Sequence, residues 1–177
     1  DRAWRIVDLG TGTGCLLLAL LSERTNAVGI GTDREVEAVK VARDNARALG
    51  LAERSMFLVG DWAETIRWPV DAIVANPPYL ATSDIDGLAP EVARFDPVLA
   101  LDGGTDGLKA YRALLDGAVS TLAPGGWLAV EVGPAQAPAV TALFGDAGLV
   151  ELATIDDLGA RPRVVVGQKL LGEAASG

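Results

Sequence analysis

The chain has 177 residues, half of them hydrophobic and only 5% aromatic, with a formal net charge of −9. That length suits one compact domain with a sizeable core, and the acidic balance disfavours a long nucleic acid, whose phosphates are held by lysine and arginine. There is no histidine and a single cysteine, Cys15, which excludes Ser-His-Asp and Cys-His catalysis, histidine-based zinc sites and an internal disulfide for the chain acting alone. No apolar run approaches the roughly 20 residues needed to span a bilayer, and no charged-then-apolar leader opens the sequence, so a cytoplasmic, monomeric protein is expected.

In chain order, an apolar strand over 5–9 runs into Asp8-Leu9-Gly10-Thr11-Gly12-Thr13-Gly14 and a helix over 15–24. A second strand, 27–31, leads to Asp33 and a helix over 34–49 closed by Gly50. Strand 55–59 ends in Gly60-Asp61-Trp62, and strand 71–75 ends in Asn76-Pro77-Pro78-Tyr79. The stretch 80–106 is rich in Asp, Pro and Gly and has no clear period; a loop that long is expected to be a functional lid or substrate platform. A helix over 108–122 with Gly125 beyond it, a strand over 127–132, a helix over 135–147 closed by Gly148, and strands over 150–155 and 164–168 complete the pattern. Seven strands alternating with helices imply a mainly parallel sheet covered on both faces. In such a sheet the ligand lies outside the carboxyl ends of the strands, where strand order reverses.

The strand ends therefore carry the functional reading. Glycines after the first strand let backbone approach a ligand closely and aim the next helix at it; a tight connection would use them too, and the Gly-Lys-Ser/Thr ending of a phosphate loop is missing. Asp33 falls about 20 residues further on, where an acid can accept both hydroxyls of a ribose, although it also fits as the N-cap of the helix that follows. Together the two features point to an adenosine-type ligand, with dinucleotides still open. Asp61 and Trp62 could bond the adenine amino group and cover its ring, or the indole could be core filler.

Asn76-Pro77-Pro78-Tyr79 is the most informative tetrapeptide. Consecutive prolines stiffen the turn and remove donors, so the Pro77 carbonyl and the Asn76 side-chain oxygen can converge on one NH2 group. Holding both hydrogens of a planar amide or arylamine aims its nitrogen lone pair at a sulfonium methyl, while Tyr79 packs on the flat group and excludes water. Such transfer proceeds by positioning and needs no histidine. A stiff turn with a buried tyrosine is the bland alternative.

These motifs, in this order, resemble the HemK/PrmC family, glutamine methyltransferases that modify the Gly-Gly-Gln loop of peptide-chain release factors, and the resemblance covers nearly the whole chain. The loop with Gly10, Thr11, Gly12, Thr13 and Gly14 is similar to the family's cofactor loop, Asp33 to its ribose-binding acid, Asp61 and Trp62 to its adenine-side pair, and Asn76, Pro77, Pro78 and Tyr79 to its glutamine-binding turn. Glu91-Val92-Ala93-Arg94-Phe95-Asp96-Pro97 with Ala100 to Gly104 and Asp106 to Leu108, and Asp157-Leu158-Gly159 with Arg163 to Gly167, are similar to later family segments. The resemblance implies a Rossmann-like S-adenosylmethionine-dependent methyltransferase fold: an α/β, seven-stranded, mostly parallel sheet with its last strand antiparallel. It implies S-adenosylmethionine as cofactor, a release factor as partner, Asn76, Pro77 and Tyr79 as the catalytic set, with Asn76 also beside the cofactor, and no metal. Its catalytic domain would span 1–170 with a frayed tail over 171–177, and the family's N-terminal helical domain has no counterpart here. Since Asn-Pro-Pro-Tyr also occurs in adenine-N6 nucleic-acid methyltransferases, that activity is the alternative. Arg94 and Arg163 could contact an acidic partner surface or brace the loop or closing strand through a carboxylate, and Glu131 could face the cleft or cap the next helix.

Overall fold

The structure is a computed structural model that describes residues 3–85 and 101–172. Its strands are β1 (Arg5–Leu9), β2 (Val28–Asp33), β3 (Ser55–Val59), β4 (Val70–Ala75), β5 (Leu122–Glu131), β6 (Leu149–Asp156) and β7 (Pro162–Lys169), joined in one sheet of order β3-β2-β1-β4-β5-β7-β6. β1 to β5 pair in parallel, and β7 enters antiparallel between β5 and β6. The expected seven strands and antiparallel last strand are present. The order reverses at β1, which has β2 on one side and β4 on the other.

Helices α1 (Cys15–Glu23), α2 (Val36–Ala48), α3 (Thr82–Ile85), α4 (Lys109–Thr121) and α5 (Ala137–Asp146) connect the strands. Side chains alternate between the faces of a strand, and β1 shows what this does. Ile6 joins Leu17, Leu18, Leu21, Val39, Ala42 and Phe57 in a cluster under α1 and α2. Val7 and Leu9 point the other way, into a larger cluster with Ile73, Leu128, Tyr111, Leu114, Val140 and Phe144 under α4 and α5. Gly29 and Gly31 in β2 let α1 and its approach settle close to the sheet: a Cβ at Gly29 would lie 2.5 Å from Leu17 Cδ1, and one at Gly31 2.7 Å from Thr11 Oγ1.

Three departures from the sequence reading have an identifiable cause or consequence. β5 begins at Leu122, not 127, because the strand runs through a bulge: Val70 pairs with Leu122 but Ala72 with Trp127, leaving Pro124-Gly125-Gly126 looped out. α2 begins at Val36, not 34, since the Asp33 carboxylate takes the Glu35 N–H at 2.9 Å. Within the stretch expected to be one loop, α3 forms and Leu80 bridges Asp102 in parallel. Residues 86–100, which include the segment from Glu91 to Ala100 and Arg94, and residues 173–177 of the expected tail lie outside the described residues. Among the described residues no helix is long and apolar enough to cross a membrane.

Phe144 is fully buried where α5 meets the sheet. Truncating a buried phenylalanine removes its transfer energy and leaves a cavity. Phe144→Ala should therefore lower urea-unfolding stability by about 3–5 kcal/mol; a loss under about 1 kcal/mol would show that this cluster is not the core.

Candidate active site

Parallel register brings the named strand ends together. Leu9 stands opposite Thr32 in β2 and Ala75 in β4, and Asp33 stands opposite Val59 in β3. The residues that follow each strand therefore emerge at one edge, in the order Asp61-Trp62, Asp33, Gly10 to Gly14, Asn76 to Tyr79. That row spans three interstrand steps, roughly 14 Å, and it straddles the reversal at β1, where open α/β sheets bind ligands.

The glycine turn is built for close approach. Gly10, Gly12 and Gly14 have φ of 71°, 54° and 79°, the left-handed region that side chains resist. A Cβ on Gly12 would meet nothing within 4 Å, so the turn faces open space there. Its conformation is pinned from beneath: Gly10 and Thr11 N–H both donate to the Thr32 carbonyl at 2.9 Å, and Asn45 of α2 donates through Nδ2 to the Thr13 carbonyl at 2.9 Å.

Asp33 joins turn and strand. Its Oδ2 accepts the Gly12 N–H at 2.8 Å and its Oδ1 the Glu35 N–H at 2.9 Å. A carboxylate offers about four lone-pair sites, so two acceptances fix its orientation and leave capacity for a pair of hydroxyls. The N-cap position of α2 is taken by Glu35, not Asp33, and the Asp33 carboxylate instead ties the glycine turn to the segment that leads into α2.

Asp61 is exposed, whereas Trp62 is half-buried and packs against the larger core cluster. The core-filler reading of Trp62 holds in part, yet its ring also reaches the turn: a Cβ at Gly10 would lie 3.6 Å from Trp62 Cζ3. Its backbone is held at φ 41°, rare for an aromatic residue. The Thr32 hydroxyl donates to the Trp62 carbonyl at 2.8 Å, which ties the segment after β3 to the end of β2.

On the other side of β1, Asn76 is exposed, Pro77 is buried and Pro78 is half-buried. Tyr79 packs on the larger cluster, and its ring lies beside Gly133, where a Cβ would come within 3.6 Å of Tyr79 Cδ2. Tyr111 is fully buried nearby and donates to the Glu131 carbonyl at 2.9 Å; burial and the neighbouring Tyr79 and Glu131 hold its hydroxyl protonated. Arg163 reaches Glu131 at 3.4 Å and Asp157 at 3.7 Å, so it braces the closing strand, as does Glu131.

Two residues escaped the site reading. Gln136, before α5, donates to the Tyr79 carbonyl of the Asn76-Pro77-Pro78-Tyr79 turn at 2.7 Å, and nothing in its local sequence marks it. Asp8 had a signal, an acid just before the turn. Alternation along β1 sends it inward with Ile6, to 2% exposure, where it accepts the Thr11 hydroxyl at 2.7 Å and the Leu17 N–H in the first turn of α1. Burial outweighs those bonds and pushes its carboxyl up to about 6, with the nearby Asp33 charge adding to the rise.

Comparison with known proteins gives the class. A family model described as "Methyltransferase small domain" matches residues 1–92, and the chain belongs to that family. Release factor glutamine methyltransferases from Rhodospirillum rubrum and Caulobacter vibrioides are 52% and 49% identical, over 93% and 94% of this chain but 51% and 58% of their own lengths. The chain thus spans about half the length of the curated relatives it matches. Among solved structures, TrmN from Thermus thermophilus superposes with a TM-score of 0.64 at 26% identity, covering 96% of this chain and 46% of that one. A methyltransferase from Pyrococcus furiosus gives 0.73 at 17% identity, covering 97% and 77%.

Asp8 makes the site sensitive to pH. A carboxyl raised from 3.8 to about 6 in the native state binds its proton more tightly folded than unfolded. Its contribution to stability is full below about pH 4 and is lost as pH rises through 6. That loss amounts to about 3 kcal/mol by pH 7. Urea stability of wild type minus that of Asp8→Asn should fall by about that amount between pH 4 and pH 7; a pH-independent difference would show that Asp8 does not titrate there.

Proposed function

We propose that the chain transfers a methyl group from S-adenosylmethionine to the side-chain amide nitrogen of a glutamine in a peptide-chain release factor. The observation that carries the reading is the placement, by β1–β4 register, of the Asn76-Pro77-Pro78-Tyr79 turn beside the glycine turn and Asp33. The names of relatives near 50% identity support the substrate.

The residues fit such a cofactor. Asp33 keeps acceptor capacity for the two ribose hydroxyls, Gly10, Thr11, Gly12, Thr13 and Gly14 supply a backbone cradle open at Gly12, and Asp61 and Trp62 take the adenine side, with Asn76 at the opposite end. S-adenosylmethionine supplies a methyl on a sulfonium sulfur, electrophilic without an acid catalyst. The chain's part is placement. Asn76 Oδ1 and the Pro77 carbonyl accept the two amide hydrogens, which orients the nitrogen lone pair. Tyr79 packs on the flat group and keeps water out, and Pro77 and Pro78 keep the turn rigid. The nitrogen gives up one proton to solvent after it gains the methyl, so the missing histidine is no handicap. A release-factor substrate supports a cytoplasmic location, and the acidic charge opposes a nucleic-acid acceptor.

Incubation with methyl-labelled S-adenosylmethionine should label a wild-type release factor, leave one lacking the Gly-Gly-Gln glutamine unlabelled, and leave DNA and RNA unlabelled. Label on nucleic acid, or on the glutamine-free factor, would overturn the proposal. Asn76→Ala should cut turnover by about 10²–10³ while cofactor affinity stays within about threefold; near-normal turnover would remove Asn76 from the mechanism.

A further inference from the structure

Gln136 uses its whole side-chain amide to hold three chain segments. Nε2 donates to the Tyr79 carbonyl at 2.7 Å and to the Gly107 carbonyl at 3.2 Å, while Oε1 accepts the Gly133 N–H at 3.1 Å. Two amide hydrogens and one carbonyl are thereby matched to two carbonyls and one N–H, a pattern only an asparagine or glutamine amide can satisfy. The three segments are the turn that leaves β4, the approach to α4 and the turn that leaves β5. Gly107 sits against this bracket at φ 70°, and a Cβ there would lie 2.4 Å from Gln136 Nε2 and 2.6 Å from the Tyr79 carbonyl oxygen.

The bracket fixes the far end of the Asn76-Pro77-Pro78-Tyr79 turn. The near end is set by β4, whose last residue Ala75 is paired on both sides, with Leu9 and Val130. Between them stand two prolines with φ locked near −65°. Pinning the peptide after Tyr79 therefore leaves the Pro77 carbonyl and the Tyr79 ring little freedom. Beyond Tyr79 the chain is held by Leu80 N–H donating to the Leu101 carbonyl at 3.0 Å, Gly103 N–H to the Leu80 carbonyl at 2.8 Å and Thr82 N–H to the Gly104 carbonyl at 3.0 Å, with the Thr82 hydroxyl donating to the Asp102 carboxylate at 2.8 Å. Among the bonds to Tyr79's own carbonyl, the side-chain one from Gln136 is what links the turn to the β5 edge of the cleft.

We propose that Gln136 is the positioning residue of the acceptor turn: without touching substrate, it sets the turn whose Pro77 carbonyl and Asn76 amide align the acceptor nitrogen. This rests on the methyl-transfer reading above, but its structural half stands without it. A misplacement of about 1 Å in such a site can cost on the order of a hundredfold in rate.

The test uses Gln136→Ala, Gln136→Glu and Gly107→Ala in the full chain. Hydrogen exchange, read without any acceptor, should be at least tenfold faster at the amides of Leu80, Gly103 and Gly133 in Gln136→Ala, with exchange in β1 and β2 unchanged. In the methylation assay Gln136→Ala should lower kcat ten- to a hundredfold with cofactor affinity within twofold of wild type, and Gly107→Ala should reproduce the loss from the opposite side of the bracket. Gln136→Glu should be as slow as Gln136→Ala at pH 8 and recover as pH falls, since a protonated carboxyl regains one hydrogen to donate; a loss that came from packing alone would not follow pH in this way. Unchanged exchange at those amides, or wild-type kcat in Gln136→Ala, overturns the proposal. If wild type labels no release factor while the exchange change appears, the bracket stands and the substrate reading fails.

Discussion

A parallel sheet delivers every strand to the same edge, and in this chain the alignment of Leu9 with Thr32 and Ala75 decides what meets there. Shifting either pairing by one residue would turn each strand's inward side chains outward, so the two core clusters and the row of strand ends are fixed by the same register. Burial of Val7 and Leu9 under α4 and of Ile6 under α1 therefore also sets Gly10 beside Asp33 and Asn76. The site is a consequence of the core.

The strand ends are tied to one another by hydrogen bonds within the chain. The glycine turn hangs from the Thr32 carbonyl and from Asp33, the segment after β3 from the Thr32 hydroxyl, and the acceptor turn from two prolines and Gln136. Such pre-ordering would matter for the proposed methyl transfer in a chain with no histidine, where orientation and exclusion of water would have to do what acid-base chemistry does elsewhere. The cost lies beneath the turn, where Asp8 caps α1 and holds Thr11 while its own charge is buried. Stability given up at neutral pH in this way is common where a site must hold a set geometry.

Much of this was legible in the sequence. All seven strands and the four longer helices fall within a few residues of their reading, because apolar alternation and 3.6-residue spacing are local and strong. The glycine turn, Asp33 and Asn76 were readable because each sits at the end of a strand or directly after one. What escaped depends on distant partners. Pro124-Gly125-Gly126 reads as a turn and is a bulge, since only the pairing of Val70 with Leu122 carries the strand through it. Gln136 is one glutamine in a polar connection until Tyr79, 57 residues away, is seen to accept from it. Trp62 packs on the core cluster and also reaches the glycine turn, a placement that composition cannot reveal.

In the proposed function, one edge of the sheet holds an adenosine-bearing cofactor on Asp33 and directs it toward Asn76. A crystal structure of the chain with S-adenosylhomocysteine tests it most directly. The account predicts both ribose hydroxyls within hydrogen-bond distance of the Asp33 carboxylate, the sulfur beside the Asn76 turn and the adenine toward Asp61 and Trp62. A ligand seated elsewhere, or bound here with its ribose away from Asp33, would contradict it.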